Sequence, residues 1–157
     1  MKKESMQAYS KRISQANRSE LVVITYEILI EHIRNAQESF GNREAFVTDL
    51  EQAQAFLKEL MVSLDFTYEI SNHLLSLYIF VNKQLIEAKQ KNSCEILPRV
   101  QAMLEGLLSS FREVSKQDQS APLMENTQKV YAGLTYGRGD VNETAVASCE
   151  ENRGFRA

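Results

Sequence analysis

Apolar side chains recur at alternating steps of three and four residues along four separate stretches of the chain. This spacing places them on one face of an α-helix, so the pattern predicts four amphipathic helices. The helices cover approximately residues 19–40, 44–64, 69–89 and 93–117. Because the connections are short and no strand-like alternation is found, the pattern predicts an all-α fold, an antiparallel four-helix bundle.

The ends of these helices carry their own signals. Ser19 is predicted as the N-cap of the first long helix, and Gly41-Asn42 as its stop. Ser93 is the predicted N-cap of the fourth helix, but Pro98 follows only five residues later. Either this helix begins later, with Pro98 near its first position, or its first turn is kinked.

The third helix, residues 69–89, is apolar on more than one face. Beyond its main stripe it carries Leu75, Tyr78, Ile79, Phe80 and Ile86. A helix of this composition is buried on several sides. The pattern therefore predicts that the rest of the chain is organised around this helix, which either lies at the centre of the domain or keeps one face for a partner.

The bundle has less regular sequence on both sides. Residues 1–18 are polar, with Tyr9 and Ile13 as the only large apolar side chains after Met6, and are predicted to form a short N-terminal arm. Residues 118–157 hold four of the six glycines and no sustained helical period, which predicts an extended or disordered C-terminal tail. The expected domains are an arm (1–18), a four-helix bundle (19–117) and a flexible tail (118–157).

Composition and charge narrow the classes of function. The chain is 43% apolar and 25% charged with a net charge of −3, which gives no support for nucleic-acid binding. No secretory signal opens the chain, and its longest apolar run is too short for membrane insertion. Cys94 and Cys149 form no close-spaced pair. We therefore expect a cytoplasmic location.

Nothing in the sequence favours catalysis. His32 and His73 have no glutamate three residues before them, as a di-iron bundle would require, and no glycine-rich loop follows a strand. The expectation is a protein that is not an enzyme and that has no cofactor and no metal site.

Several sequence blocks, in order and with their spacing, resemble the FliS family of flagellin-specific secretion chaperones. They are Ala8-Tyr9, Glu20-Leu21 with Thr25-Tyr26, residues 53–65, Glu69-Ile70 with Asn72 and Leu77-Tyr78, and residues 100–113. The chain departs from the family pattern at Gln15-Ala16-Asn17-Arg18, where Thr-Ala-Ser-Pro is usual. It also departs at Phe66-Thr67-Tyr68, where the family has Gly-Gly, and at Ser115, where tryptophan is common.

The resemblance implies a function. Such a protein would bind the C-terminal segment of flagellin in the cytoplasm, prevent its premature polymerisation and deliver it to the flagellar export gate. Export-gate components are then further candidate partners, and the protein itself is expected to be a monomer or weak homodimer. The alternative is a generic helical adaptor or a homodimerisation module that uses the same apolar surface.

The predicted partner-binding residues are apolar side chains beyond those needed for the helix faces that are predicted to form the core. They are Tyr9, Ile13, Phe56, Leu60, Leu75 and Ile79. The additional apolar side chains on the helices could instead belong to a wider core or to a homodimer interface. The resemblance suggests that Tyr9 and Ile13 form a flap displaced by flagellin; they could equally belong to a frayed terminus. The apolar residues of the tail (Val130, Tyr131, Leu134 and Tyr136) either occupy the empty groove in cis or belong to a disordered tail.

Overall fold

The computed structural model describes the backbone of residues 3–124 and the side chains of residues 7–124. In this part of the chain all regular structure is helical. The helices are α1 (Lys3–Gln15), α2 (Arg18–Glu38), α3 (Arg43–Val62), α4 (Ile70–Lys91) and α5 (Leu97–Gln117). The predicted all-α class, with α2–α5 forming a four-helix bundle, is confirmed. The predictions for the tail residues Val130, Tyr131, Leu134 and Tyr136 lie outside the described residues.

Side-chain pairs across the bundle show that neighbouring helices are antiparallel. Between α2 and α5, Glu27 pairs with Arg112 and Arg34 pairs with Glu105, so the numbering rises along one helix and falls along the other. Phe40 near the end of α2 likewise packs edge-on against Phe46 near the start of α3. The short connections predicted from the sequence produce this arrangement.

The central helix is α2, so the prediction that the chain is organised around the third bundle helix is wrong. Helix α2 packs against α1, α3 and α5, whereas α4 packs mainly against α3 and α5. Ile79 and Phe80 of α4 are 55% and 42% exposed. Of the surplus apolar residues of α4, Ile79 and Phe80 are therefore exposed, whereas Tyr78 is buried and Leu75 and Ile86 are half-buried.

The core of the bundle is mostly aliphatic, and a pair of tyrosines within it makes a polar contact. The hydroxyls of Tyr26 on α2 and Tyr78 on α4 hydrogen-bond to each other at 2.5 Å, and the tyrosines are 0% and 1% exposed. Burial raises the pKa of both phenols. Pairing gives each buried hydroxyl a partner, as interior polar groups require.

The first turn of α2 is capped by Asn17 and not by Ser19, so the Ser19 prediction is wrong. Asn17 Oδ1 accepts a hydrogen bond from the Glu20 amide at 2.9 Å, and the Glu20 carboxylate accepts one from the Asn17 amide at 3.2 Å. This reciprocal pair is a capping box. Its signal, Asn followed three residues later by Glu, is present in the sequence at the position where the family pattern changes.

The start of α5 matches the first of the two alternatives. The helix begins at Leu97 and places Pro98 in its first turn, where the missing amide costs no helical hydrogen bond. Ser93 is therefore not its N-cap. The preceding helix α4 ends at Lys91, and its C-cap Asn92 adopts the left-handed conformation with φ of 49°.

The N-terminal arm is itself a helix, which the weak apolar pattern of residues 1–18 does not predict. A helix as short as α1, 13 residues, is marginal in isolation. Its packing along α2 supplies the missing stabilisation, because Tyr9 and Ile13 contact apolar side chains there.

Candidate functional site

The candidate site is the surface of the bundle that α1 covers. Helix α1 runs antiparallel to α2, since Arg12 contacts Glu27 while the earlier residue Tyr9 hydrogen-bonds the later residue Glu31. Burial, together with that hydrogen bond and the charge of Glu31, raises the pKa of Tyr9 to about 12. The phenol therefore stays protonated at physiological pH.

Beneath α1 lies an apolar cluster that is separate from the main core; we call it the arm cluster. Its buried members are Ala16, Ile24 and Ile28, which are 1%, 3% and 5% exposed. Its half-buried members are Tyr9, Ile13, Leu21 and Phe56. Because α1 contributes Tyr9 and Ile13, departure of α1 would expose the side chains of Ile24 and Ile28.

Phe56 is the contribution of α3 to the arm cluster, and its ring is held from one side by a buried histidine. The ring of His32 stacks on that of Phe56 with centroids 5.8 Å apart and planes 18° apart. The His32 ring is fixed in turn by a hydrogen bond between its Nδ1 and Asp49 Oδ1, at 3.0 Å. Phe56 also packs against the main core, so it joins the two clusters.

A single carboxylate holds the polar edge of the site. Glu27 accepts hydrogen bonds from Arg12 of α1 at 2.5 Å and from Arg112 of α5 at 2.9 Å. Burial acts to raise the pKa of Glu27, but the two guanidinium groups outweigh it and the pKa lies below the ordinary value of 4.5. Glu27 therefore ties α1 to both α2 and α5.

Next to this ion pair an open groove of about 940 Å³ runs between α1, α2 and α5. Ile30 and Leu108 are its buried apolar lining, while Glu31 and Arg34 are among its charged residues. The Nδ2 atom of Asn35, another lining residue, is buried without a hydrogen-bond partner among the described residues. The groove extends the surface that α1 covers, and its lining is partly apolar and partly charged.

The structure brings three of the six predicted binding residues together: Tyr9, Ile13 and Phe56 all belong to the arm cluster. Leu60 is instead 2% exposed in the main core, where no partner can reach it without opening the bundle. This corrects its selection as a surplus residue. Leu75 and Ile79 lie on α4, half-buried and 55% exposed respectively, and do not belong to the arm cluster.

Sequence reasoning did not assign Ala16, Ile24 and Ile28 to the site. Ile24 and Ile28 lie four residues apart beside the main stripe of α2, which is the signal that a second apolar face exists on that helix. That face could be assigned to the site only once α1 was known to be a helix lying on it.

A further apolar surface, which we call the α4 surface, is open to solvent at the α3–α4 end of the bundle and along α4. Its members are Val62 (74% exposed), Phe66 (55%), Tyr68 (64%), Ile70 (61%), Ile79 (55%) and Phe80 (42%). Exposed apolar side chains of this size are candidates for contact with other molecules.

Two further findings concern metal binding and membrane insertion of the described residues. Among them, no group of three or more His, Cys, Asp or Glu side chains could hold a metal ion. None of the helices in residues 3–124 is both long enough and apolar enough to cross a membrane.

Comparison with known proteins agrees with this architecture. Residues 1–118 match the family described as flagellar protein FliS. Over 107 residues the chain is 28% identical to the flagellar secretion chaperone FliS of Bacillus subtilis (strain 168), an alignment that covers 67% of this chain and 77% of that protein. The resemblance noted in the sequence is thereby confirmed: the chain belongs to the FliS family of flagellar proteins.

Proposed function

We propose that this protein is a flagellar export chaperone that binds the C-terminal segment of flagellin in the cytoplasm, prevents its premature polymerisation and delivers it to the export apparatus. Its family and the name of its Bacillus subtilis relative support the role of a secretion chaperone. The observation that carries the binding mechanism is the arm cluster, an apolar surface covered by a short helix of the chain itself.

In the free protein, helix α1 covers the surface that we propose the partner binds. It lies on α2 through two apolar side chains, Tyr9 and Ile13, spaced four residues apart, which is the spacing of anchors in helix-in-groove recognition. A partner helix with anchors at the same spacing fits the same surface.

The energetics favour exchange of α1 for a partner helix. Helix α1 is short, and its two anchors are only half-buried, so its departure costs on the order of a few kcal/mol. A longer partner segment that is disordered when free must offset its own ordering cost with wide apolar burial. The α4 surface offers that area, through Ile79 and Phe80 among others. We propose that the segment contacts the arm cluster and continues onto Leu75 and Ile79.

A homodimer or generic adaptor is the second candidate. The observation that favours it is the exposure of the α4 surface, where Ile70, Ile79 and Phe80 are 61%, 55% and 42% exposed. Multi-angle light scattering over a range of protein concentrations distinguishes a stable dimer from the monomer or weak homodimer that we propose. The division into arm (1–18), bundle (19–117) and tail (118–157), and interaction with export-gate components, remain parts of the proposal.

Calorimetry of the full-length protein with a peptide of the flagellin C-terminal segment tests the proposed function. We expect one-to-one binding with a large negative heat-capacity change, because folding of the peptide buries apolar surface. A scrambled peptide of the same composition is the control. Equal or absent heat with both peptides, using protein of native circular dichroism, would contradict the proposal and favour the adaptor.

A further inference from the structure

The chain turns back after α5 and runs along the junction between α1 and α2. Helix α5 ends at Gln117. Six residues later, the amide of Leu123 donates a hydrogen bond to the carbonyl oxygen of Ala16 at 3.1 Å. We call residues 118–123 the clasp. Only Ala16 and Asn17 separate α1 from α2, so the clasp contacts the hinge between these helices.

The side chain of Asn17 has two separate tasks at this hinge. Its Oδ1 caps α2 by accepting from the Glu20 amide. Its Nδ2 donates to the carbonyl oxygens of Asp118 at 3.3 Å and Ser120 at 3.4 Å. Asn17 is 6% exposed, and a buried amide with both ends satisfied is costly to disturb.

Asp118 fixes the other side of the clasp. Its carboxylate accepts hydrogen bonds from the hydroxyl of Ser19, in the first turn of α2, and from the amide of Ser120 at 3.0 Å. A carboxylate at this end of α2 also complements the helix dipole. The hydrogen bonds from Ser19 and Ser120 lower the pKa of Asp118 to about 2, so it is charged at neutral pH.

The hinge residues also belong to the site. Ala16 is 1% exposed and is a buried member of the arm cluster, while its carbonyl oxygen accepts from the clasp. For α1 to swing away from α2, the backbone dihedral angles of Ala16 and Asn17 must change. Such a change would misplace the groups that Leu123, Asp118 and Ser120 contact.

We propose that residues 118–123 are a conformational restraint that holds the α1–α2 hinge and thereby sets how readily α1 leaves the arm cluster. Opening of α1 is a property of the free protein and needs no partner for its detection. The consequence for partner binding, a higher affinity when the clasp is weakened, rests on the proposed function.

The test is hydrogen exchange of the full-length protein, read by mass spectrometry for peptides from α1, α3 and α5. Asn17→Asp keeps an oxygen to cap α2 but removes the donor to Asp118 and Ser120. Asp118→Ala removes the acceptor of Ser19 and leaves Asn17 intact. Gln119→Ala, an exposed neighbour, is the matched control. We expect both clasp variants to exchange α1 amides about tenfold faster, which corresponds to one or two net hydrogen bonds, with α3 and α5 unchanged.

Unchanged exchange in α1 for both variants, with faster exchange at residues 118–123, would overturn the proposal, because the clasp would then anchor only itself. Faster exchange throughout the bundle in both variants would also overturn it, since the effect would be global destabilisation. Calorimetry with the flagellin peptide separates the two proposals. If α1 opens in the variants while peptide affinity stays the same, the clasp stands and displacement of α1 by flagellin fails.

Discussion

The ring of His32 on α2 lies stacked on the ring of Phe56 on α3, with 5.8 Å between centroids and 18° between planes. His32 is buried and bonded to Asp49, so it is a fixed support, whereas Phe56 is half-buried and reaches the arm cluster. The stack therefore positions an aromatic side chain at the boundary between the main core and the surface that α1 covers.

Replacement of Phe56 tests whether this ring serves both stability and binding. We expect Phe56→Ala to lower the free energy of unfolding by about 2 kcal/mol, less than for a fully buried phenylalanine, and to weaken binding of the flagellin peptide at least about tenfold. Urea unfolding and calorimetry measure the two effects. Val114→Ala is the control, because Val114 is 57% exposed and belongs to neither the arm cluster nor the α4 surface. Equal effects of the two variants on both quantities would contradict the role of Phe56.

The ion pair at Glu27 predicts a local effect on α1. Glu27→Gln weakens the hydrogen bonds to Arg12 and Arg112, and we expect faster hydrogen exchange in α1 with a loss of about 1 kcal/mol in stability. The loss is modest because both arginine side chains are about half exposed, at 48% and 51%. Glu113→Gln, which alters an exposed pair with Lys116, should change neither quantity measurably. An α1 that exchanges at the wild-type rate in Glu27→Gln would show that Glu27 does not hold the arm.

The same carboxylate predicts a pH dependence. The pKa of Glu27 is lower in the folded protein than its ordinary value of 4.5, so the folded state favours the ionised form. Its contribution to stability is complete above pH 4.5 and is lost as pH falls through the lowered folded pKa. Denaturant unfolding from pH 6 to pH 3 should therefore show the stability difference between wild type and Glu27→Gln shrinking in acid. A difference independent of pH would refute this assignment.

Substitutions of Leu60 and Ile79 test which of the predicted binding residues contribute to the core and which contribute to the surface. Leu60→Ala should cost about 2–5 kcal/mol of stability, since Leu60 is 2% exposed in the main core. Ile79→Ala should cost less than about 0.5 kcal/mol, since Ile79 is 55% exposed, but should weaken peptide binding if the partner reaches α4. Thermal or urea unfolding and calorimetry supply both readings. Wild-type peptide affinity in Ile79→Ala would remove the α4 surface from the binding site.

The sequence was sufficient for the four bundle helices because each carries a regular apolar stripe, such as Phe46, Leu50, Ala53 and Leu57 on α3, and all four of these residues are fully buried. It was insufficient for α1, whose stability comes from packing on Ile24 and Ile28 and not from its own pattern. Leu60 and Ile79 were both selected as surplus, yet one is core and the other surface. The number of apolar residues indicates how much apolar area a helix has to bury. Which of these side chains are buried depends on where the neighbouring helices lie.

The hinge contains a contact that the sequence does not predict. Asn17 and Glu20 form a capping box that is readable from their spacing. The second task of Asn17, as donor to Asp118 and Ser120, joins residues about one hundred positions apart and has no local signal.

We propose that the flagellin segment takes the place of α1 on the arm cluster. The decisive measurement is hydrogen exchange of the full-length protein, with and without a saturating amount of the flagellin C-terminal peptide. We expect α1 amides (residues 3–15) to lose protection when the peptide binds, while amides of α2 beside Ile24 and Ile28 stay protected. Binding of the peptide with protection of α1 unchanged or increased would contradict it, because the partner would then dock without displacing the arm.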